Sequence, residues 1–213
     1  MSFIVKNTTF PTVFDLLAPH SCRGCGHIGE VLCKRCKNYI LATKPTADLP
    51  LDGFVVGYRD ELIGDLIHDL KYNSVRALAR PLAEMANGIL PKISGEVFLV
   101  PLPTINRHIR ERGLDHTLLV AKQLAKIRGG WKLKKILRRK NNSVQVGAGK
   151  EERFEQASKA YSVCGDIDKN ATYVLIDDVW TTGASMTEAR KKLQEAGALK
   201  IVTLVLAVSR FDD

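Results

Sequence analysis

One segment restricts the possible folds of this chain more than any other. Residues 172–178, TYVLIDD, are apolar and end in the carboxylates of Asp177 and Asp178. Such a run is typical of a buried strand in a parallel sheet. Small residues follow, and an amphipathic pattern to about Glu195 predicts a helix. The segment therefore predicts a strand–turn–helix unit with two acidic side chains at the carboxyl edge of a sheet, where open α/β sheets bind ligands.

The turn in this unit is suited to a phosphate group. Backbone N–H groups at a helix N-terminus, the positive end of the helix dipole and hydroxyl side chains all favour an anion. The carboxylates can accept hydrogen bonds from the hydroxyls of a sugar. Trp180, between the carboxylates and the turn, either stacks on a ligand or packs in the core. The predicted phosphate loop consists of Thr181, Thr182, Gly183, Ala184 and Ser185.

The rest of the chain alternates apolar strands with helical patterns, which predicts an α/β fold with a parallel sheet and helices on both faces. A second glycine-containing segment, around Gly147 and Gly149, lacks the residues of a P-loop, so a P-loop ATPase is excluded. Residues 138–160 are polar and predict a mobile loop. The predicted strands are 54–58, 96–100 and 200–209, with WKLKKIL as a further candidate, and the predicted helices are 61–72, 75–90 and 115–127.

Four of the five cysteines form two C-x2-C pairs near the N-terminus. Each pair presents two thiolates from one tight turn, and two such turns make a tetrahedral site for a structural Zn²⁺. An iron–sulfur cluster and four unrelated cysteines are the alternatives. We expect a zinc-binding module over residues 1–48 and a second domain over residues 49–213. The predicted ligands are Cys22, Cys25, Cys33 and Cys36, and Cys164 is predicted to be a small core residue.

The compartment follows from what the sequence lacks. No apolar run approaches the roughly 20 residues that cross a bilayer, and the N-terminus does not resemble a signal peptide. We therefore expect a cytoplasmic protein without membrane insertion, whose cysteines are not disulfides.

The charge is concentrated in one part of the chain. The net charge is +9, and residues 100–159 contain fifteen lysine or arginine residues against five aspartate or glutamate. This stretch predicts a polyanionic partner, either a phosphorylated small molecule or weakly bound single-stranded DNA. The alternative is a solvated, lysine-rich helix face.

The motifs together resemble the ComF family. They are the four-Cys module, LIHDLKY (66–72), VPLPTINRHIRERGLDHTLLVAKQLA (100–125) and VLIDDVWTTGAS (174–185), in the order of that family. The last segment is similar to the signature by which phosphoribosyltransferases bind 5-phosphoribosyl 1-diphosphate (PRPP). The family is linked to natural competence, the uptake of DNA for transformation, and is similar to amidophosphoribosyltransferases.

The resemblance implies a role for several groups of residues. Asp177 and Asp178 would hold the ribose hydroxyls, directly or through Mg²⁺, and the loop 181–185 would hold the 5-phosphate. A diphosphate loop would follow the strand 96–100, and arginines would line or flank the anionic site. The diphosphate loop is Pro101, Leu102, Pro103 and Thr104, the arginines are Arg107, Arg110 and Arg112, and the flexible loop contributes Arg138, Arg139, Gln145 and Arg153.

The chain departs from the family pattern at two places. Gln156 stands where the loop has Asn, and Leu114-Asp115-His116 replaces Phe-Asn-Gln. The resemblance implies a PRPP-binding protein of the phosphoribosyltransferase type that acts in DNA uptake. The alternatives are a non-catalytic adaptor for single-stranded DNA or a helicase-like competence protein, and an ordinary salvage phosphoribosyltransferase.

Overall fold

The computed structural model describes residues 20–45, 53–139 and 161–210. The predictions for Gln145, Arg153 and Gln156, and for most of the loop 138–160, lie outside these ranges. Among the helices within them, none is long and apolar enough to cross a bilayer.

Five parallel strands form the central sheet in the order β1-β7-β6-β2-β3. The acidic strand β6 lies in the middle, where Leu175 pairs with Val100 of β2 on one side and with Thr203 of β7 on the other. Both neighbours are parallel to β6, so all three strands end at the same edge. The strands are β1 Gly53–Tyr58, β2 Val97–Pro101, β3 Lys132–Leu133, β6 Thr172–Trp180 and β7 Lys200–Val208. A separate antiparallel pair consists of β4 Leu137–Arg139 and β5 Tyr161–Val163.

The helices cover both faces of the sheet, as predicted. Alternate residues of β6 point to opposite faces, so Val174 and Ile176 pack into one core and Tyr173 and Leu175 into the other. Helices α2, α3 and α5 cover the first face, and α6 with the β4–β5 pair covers the second. The helices are α1 Lys34–Ala42, α2 Leu62–Tyr72, α3 Ala79–Ile89, α4 Asn106–Arg112, α5 His116–Arg128 and α6 Ala184–Glu195.

The structure differs from the predicted elements at three places. Helix α4 forms where a basic loop was predicted. The prediction missed it because its seven residues carry no apolar periodicity that would indicate a helix. The segment WKLKKIL contributes to two short strands in different sheets. Cys164 is only partly buried, so the prediction of a core residue is wrong. The four-Cys cluster and the parallel sheet with helices on both faces confirm the predicted fold class.

Candidate functional site

The predicted phosphate loop packs over a buried tryptophan. Gly183 has a left-handed backbone (φ 73°) and precedes α6. A Cβ atom there would lie 2.2 Å from the ring of Trp180, which is buried. Only glycine fits this position. Of the two interpretations of Trp180, the structure therefore supports packing beneath the loop.

A small cavity of about 50 Å³ opens within this loop. Asp177 borders it on the side of the sheet, so a group held by the loop would lie next to the acidic strand end. The predicted loop residues all line the cavity: Thr181, Thr182, Gly183, Ala184 and Ser185.

A larger cavity of about 300 Å³ brings three distant segments together at the same edge. The loop after β2 forms one wall, the acidic pair forms the second, and the β4–β5 pair forms the third. We call it the central cavity. Among its lining residues are the predicted Leu102, Pro103, Thr104, Arg112, Arg139, Asp177, Asp178 and Ser185, together with Lys71, His116 and Tyr161.

Other predicted site residues lie elsewhere. Pro101 is the buried last residue of β2. Arg107 is exposed and forms an ion pair with Glu111 at 2.7 Å, whereas Arg112 lines the central cavity. Arg138 lines a neighbouring cavity of about 290 Å³.

The first residues of the predicted flexible loop belong to a strand. Arg138 and Arg139 lie in β4 and pair with Ser162 and Tyr161 of β5. The guanidinium of Arg139 lies 5.6 Å from the ring centre of Tyr161 and donates to its hydroxyl at 3.4 Å. Strand pairing and this contact fix Arg139 at the wall of the central cavity.

Two basic side chains that sequence reasoning missed hold Asp178. Lys71 Nζ, from the last turn of α2, lies 2.6 Å from Asp178 Oδ2. His116 Nε2, from the first residue of α5, contacts the same oxygen. Burial alone would raise the pKa of Asp178, but these two partners outweigh burial and lower it. Asp178 is therefore a carboxylate at neutral pH.

The pKa of the neighbouring Asp177 is shifted in the opposite direction. Burial and the nearby charge of Asp178 raise the pKa of Asp177 to about 8. The backbone N–H of Asp178 donates to Asp177 Oδ1 at 2.9 Å, which offsets part of that shift. The strand end thus presents one ionised carboxylate and one carboxyl that retains its proton at neutral pH.

The structure shows the positions of the three residues that depart from the family pattern, residues 114–116. Leu114 is buried. Asp115 caps α5 by accepting a hydrogen bond from the N–H of Leu118 at 3.0 Å, a role that Asn fills equally well. His116 introduces the contact with Asp178. The changed residues therefore contribute directly to the candidate site.

The four cysteines are arranged to hold one metal ion. Their sulfur atoms all lie within 4.8 Å of one another. A tetrahedral ion with bonds of about 2.3 Å to sulfur separates its ligands by about 3.8 Å, so these residues fit a single Zn²⁺. Burial would raise the pKa of Cys22, but backbone N–H donors, that of Cys33 among them, lower it to about 6. Cys22 thus favours the thiolate form that a metal ion requires, whereas burial and the neighbouring cysteines raise the pKa of Cys36 to about 12.

The cysteine cluster packs directly against α2. A Cβ atom on Gly24 would lie 2.7 Å from the sulfur of Cys36 and 2.8 Å from Leu62, the first residue of α2. Arg23 pairs with Asp69 of α2 at 3.1 Å. The same helix carries Lys71, so α2 connects the cysteine cluster to the central cavity.

One curated protein is similar to the chain along most of its length. Competence protein F from Haemophilus influenzae is 25% identical to the chain over 197 residues, which cover 86% of this chain and 83% of that protein. This relative confirms the resemblance to the ComF family. No family model matches the chain.

Among the solved structures that the chain matches are two phosphoribosyltransferases, both at low identity. A purine phosphoribosyltransferase from Pyrococcus horikoshii has a TM-score of 0.33 at 20% identity, covering 64% of this chain and 70% of that chain. A hypoxanthine phosphoribosyltransferase from Staphylococcus aureus has a TM-score of 0.36 at 9% identity, covering 66% of this chain and 68% of that chain.

Proposed function

We propose that the chain binds PRPP together with Mg²⁺ in the central cavity and acts in natural competence, in the uptake of DNA for transformation. The observation that carries the proposal is the meeting of three segments at one sheet edge: the loop after β2, the acidic end of β6 and the loop before α6. The competence role rests on the name of the relative from Haemophilus influenzae. The chain is proposed to work in the cytoplasm.

Each part of PRPP has a complementary group at this edge. The 5-phosphate fits the loop 181–185, where N–H groups and hydroxyls surround a small cavity. The ribose hydroxyls fit Asp177, which borders both cavities, and Asp178, which borders the central cavity. The diphosphate then lies against Leu102–Thr104 with its Mg²⁺.

The charges around the central cavity suit a diphosphate. Lys71, Arg112 and Arg139 all line it. One guanidinium can donate two parallel hydrogen bonds to two oxygens of a phosphate. Lys71 and His116 both contact Oδ2 of Asp178, so its second oxygen can accept a ribose hydroxyl. A ligand bound this way presents the bond between C1 and the diphosphate to the cationic wall, which stabilises the leaving group when a phosphoribosyl group is transferred.

The proposal is tested by calorimetry on the zinc-loaded full chain. We expect PRPP to bind in the presence of Mg²⁺ and to bind weakly in buffer from which Mg²⁺ is simply omitted, since a chelator would also strip the zinc. Replacing Arg112 by Ala removes a cation from the cavity wall and should weaken binding about tenfold, as a charge-assisted hydrogen bond contributes about 1.5–3 kcal/mol.

Arg80→Ala is the matched control for that variant. Arg80 is an exposed arginine that pairs with Glu84 at 3.1 Å on α3 and lines none of the cavities described above. The control should bind PRPP like the wild type. No heat of binding with Mg²⁺, or equal losses in both variants, would refute the proposed site.

A second candidate function is an adaptor that binds single-stranded DNA or a helicase-like competence protein. The observation in its favour is a pair of exposed cations, Lys135 and Arg138, here called the exposed basic group, of which Arg138 lines the cavity of about 290 Å³. Exposed cations of this kind bind a nucleic-acid backbone without sequence preference. The two functions are compatible, because the basic group and the central cavity involve different side chains.

A further inference from the structure

A buried tyrosine lies between the predicted phosphate loop and the wall of the central cavity. Tyr161 is the first residue of β5, is 2% exposed and lines the central cavity. Ser185, in the first turn of α6, lines both the central cavity and the small cavity within the loop. Ser185 thus connects the loop to the wall that contains Tyr161.

Two hydrogen-bond donors from different elements meet at the hydroxyl of Tyr161. The Ser185 hydroxyl donates to it from α6. Arg139 donates to it at 3.4 Å from β4, where Arg139 and Tyr161 are partners in the antiparallel pair. Both bonds end on the phenol oxygen, so Tyr161 still has its own proton to donate.

Tyr161 keeps that proton at neutral pH. Burial raises the pKa of Tyr161 above its ordinary value of about 10, and the charge of Arg139 and the bond from Ser185 offset only part of this shift. The hydroxyl can therefore act as an acceptor and as a donor at the same time. This dual capacity is what a hydrogen-bond relay requires of its middle member.

A phosphate in the loop would reverse the bond between Ser185 and Tyr161. Ser185 has one hydroxyl proton, which it can donate either to Tyr161 or to a phosphate oxygen. When Ser185 donates to the phosphate, its own oxygen can accept from Tyr161 instead. The result is a series from Tyr161 through Ser185 to the phosphate, in which each bond polarises and strengthens the next.

This reversal needs a charged acceptor in the loop. A hydrogen bond to an ionised oxygen is roughly twice as strong as one between neutral groups, so a phosphate draws the Ser185 proton away from Tyr161. Arg139 can donate to Tyr161 in either arrangement, because a guanidinium only donates. The contact between Arg139 and Tyr161 therefore does not oppose the reversal.

We propose that Tyr161 is a positioning residue for the 5-phosphate of the ligand and acts on it through Ser185. The inference rests on the proposed function, which supplies a ribose 5-phosphate group as the occupant of the loop. It adds a residue outside the loop that strengthens the hold of the loop on that group. A merely structural tyrosine would stabilise the packing of β5 on α6 whatever the ligand.

Calorimetry on the zinc-loaded full chain tests the proposal with two probes, ribose 5-phosphate and inorganic pyrophosphate with Mg²⁺. Tyr161→Phe removes the hydroxyl and keeps the ring. We expect this variant to bind ribose 5-phosphate about fivefold more weakly than the wild type, the effect of one hydrogen bond. Its affinity for pyrophosphate should be unchanged, because the diphosphate does not depend on Ser185.

A double-mutant cycle tests whether Tyr161 acts through Ser185. Ser185→Ala removes a donor to a charged group and should weaken ribose 5-phosphate binding about tenfold. Adding Tyr161→Phe to Ser185→Ala should cause no further loss, because residues in one hydrogen-bond network are not additive. Losses that add in the double variant would show that Tyr161 acts without Ser185, and they would refute the relay.

Tyr173→Phe is the matched control. Tyr173 is also a buried tyrosine with a hydrogen-bonded hydroxyl, which accepts from the N–H of Asp168 at 2.8 Å. It lies near the start of β6, at the opposite edge of the sheet from Asp177. Both tyrosine variants should lose stability in urea denaturation, but only Tyr161→Phe should lose affinity for ribose 5-phosphate. Equal losses of affinity in the two variants would contradict a specific role for Tyr161.

Calorimetry with PRPP on the same proteins separates this inference from the proposed function. Ribose 5-phosphate binding that depends on Tyr161 and Ser185, in a protein that does not bind PRPP, would refute the proposed function and retain the relay. PRPP binding combined with ribose 5-phosphate binding that is absent, or equal in the wild type and Tyr161→Phe, would refute the relay alone. A wild type that binds neither ligand would refute both.

Discussion

Lys71 Nζ lies 2.6 Å from Asp178 Oδ2, and this ion pair joins the last turn of α2 to the acidic end of β6. Both side chains are largely shielded from water, with 18% and 13% exposure. Taking such a pair out of water costs free energy, and further hydrogen bonds to the two charges offset part of that cost. His116 contacts the same oxygen of Asp178 and adds such a bond. Asp178 thus has a structural role in addition to its proposed role in ligand binding.

The first prediction concerns Asp178→Asn. The change leaves Lys71 and His116 without their anionic partner, so we expect the free energy of unfolding to fall by roughly 3 kcal/mol, the lower end of the range for a buried pair, because both side chains keep some exposure. PRPP affinity should fall roughly tenfold to a hundredfold. Urea denaturation measures the first effect and calorimetry the second. An unchanged denaturation midpoint would contradict the structural role of the ion pair.

The second prediction concerns Asp177→Asn and pH. The pKa of Asp177 is raised in the folded protein to about 8, well above that of an unfolded aspartate. The folded state therefore holds a proton that the unfolded state has lost, and stability decreases as pH rises from about 4 to 8. Asn does not titrate. The variant should gain stability over the wild type by up to about 1.4 kcal/mol per pH unit across this range, and the difference should stop growing above pH 8.

Thermal unfolding of both proteins from pH 5 to pH 9 measures this difference. The variant should still bind PRPP less well than the wild type. At high pH Asp177 is a carboxylate that can accept a charge-assisted hydrogen bond from a ribose hydroxyl, and the amide of Asn carries no charge. Asp177→Asn and Asp178→Asn are thus expected to have opposite effects on stability and the same effect on binding. Parallel pH profiles for the wild type and Asp177→Asn would show that Asp177 titrates normally.

The third prediction concerns Gly183→Ala. A methyl group at Gly183 would collide with the ring of Trp180 at 2.2 Å, in addition to the strain of a left-handed backbone, which costs about 1–2 kcal/mol. We expect a loss of roughly 3 kcal/mol in stability, since overpacking adds about 1–3 kcal/mol. Gly113→Ala is the control, because Gly113 has a similar φ of 67° and no atom within 4 Å of the added Cβ. Equal losses in the two variants would exclude the collision with Trp180.

Local patterns account for the parts of the site that the sequence predicted. The strand ending in Asp177 and Asp178, the small residues after it and the paired C-x2-C motifs are each contained within a few consecutive residues. Their geometry follows from one strand, one turn or one knuckle. Local patterns also predicted the parallel sheet, because its strands and helices alternate along the chain with clear apolar periods.

The missed residues depend on contacts between distant parts of the chain. Lys71 and His116 meet Asp178 across 107 and 62 positions, and nothing in their own segments indicates a carboxylate partner. His116 was visible as a departure from the family pattern, but its role required the position of α5. Tyr161 likewise reaches Ser185 only because β5 packs against α6 in the folded chain.

The fourth prediction concerns the metal. Cys33→Ser should abolish stoichiometric zinc in elemental analysis, whereas Cys164→Ser, a change outside the cluster, should retain it. Because Cys22, Cys33 and Cys36 share one hydrophobic core with α2, we expect zinc loss to lower the melting temperature of the whole chain as well as to unfold the cysteine module. Full zinc content in Cys33→Ser, or iron with sulfide in the wild type, would refute the zinc site.

The fifth prediction concerns DNA, and the structure limits which cations of residues 100–159 can contact phosphates. Lys132 pairs with Glu96 at 2.6 Å, and Lys134 donates to the carbonyl of Asp166 at 2.8 Å, so neither cation is free for a phosphate. About two contacts from the exposed basic group would give a slope near −1.4 in a plot of log affinity against log salt for single strands. We expect the double variant Lys135→Ala with Arg138→Ala to flatten this slope by about 1.4.

Lys132→Ala serves as the control and should leave the slope unchanged. Anisotropy of a labelled oligothymidylate measures each slope, and a salt-independent affinity, or a slope that the double variant leaves unchanged, would exclude this surface as the DNA-binding site.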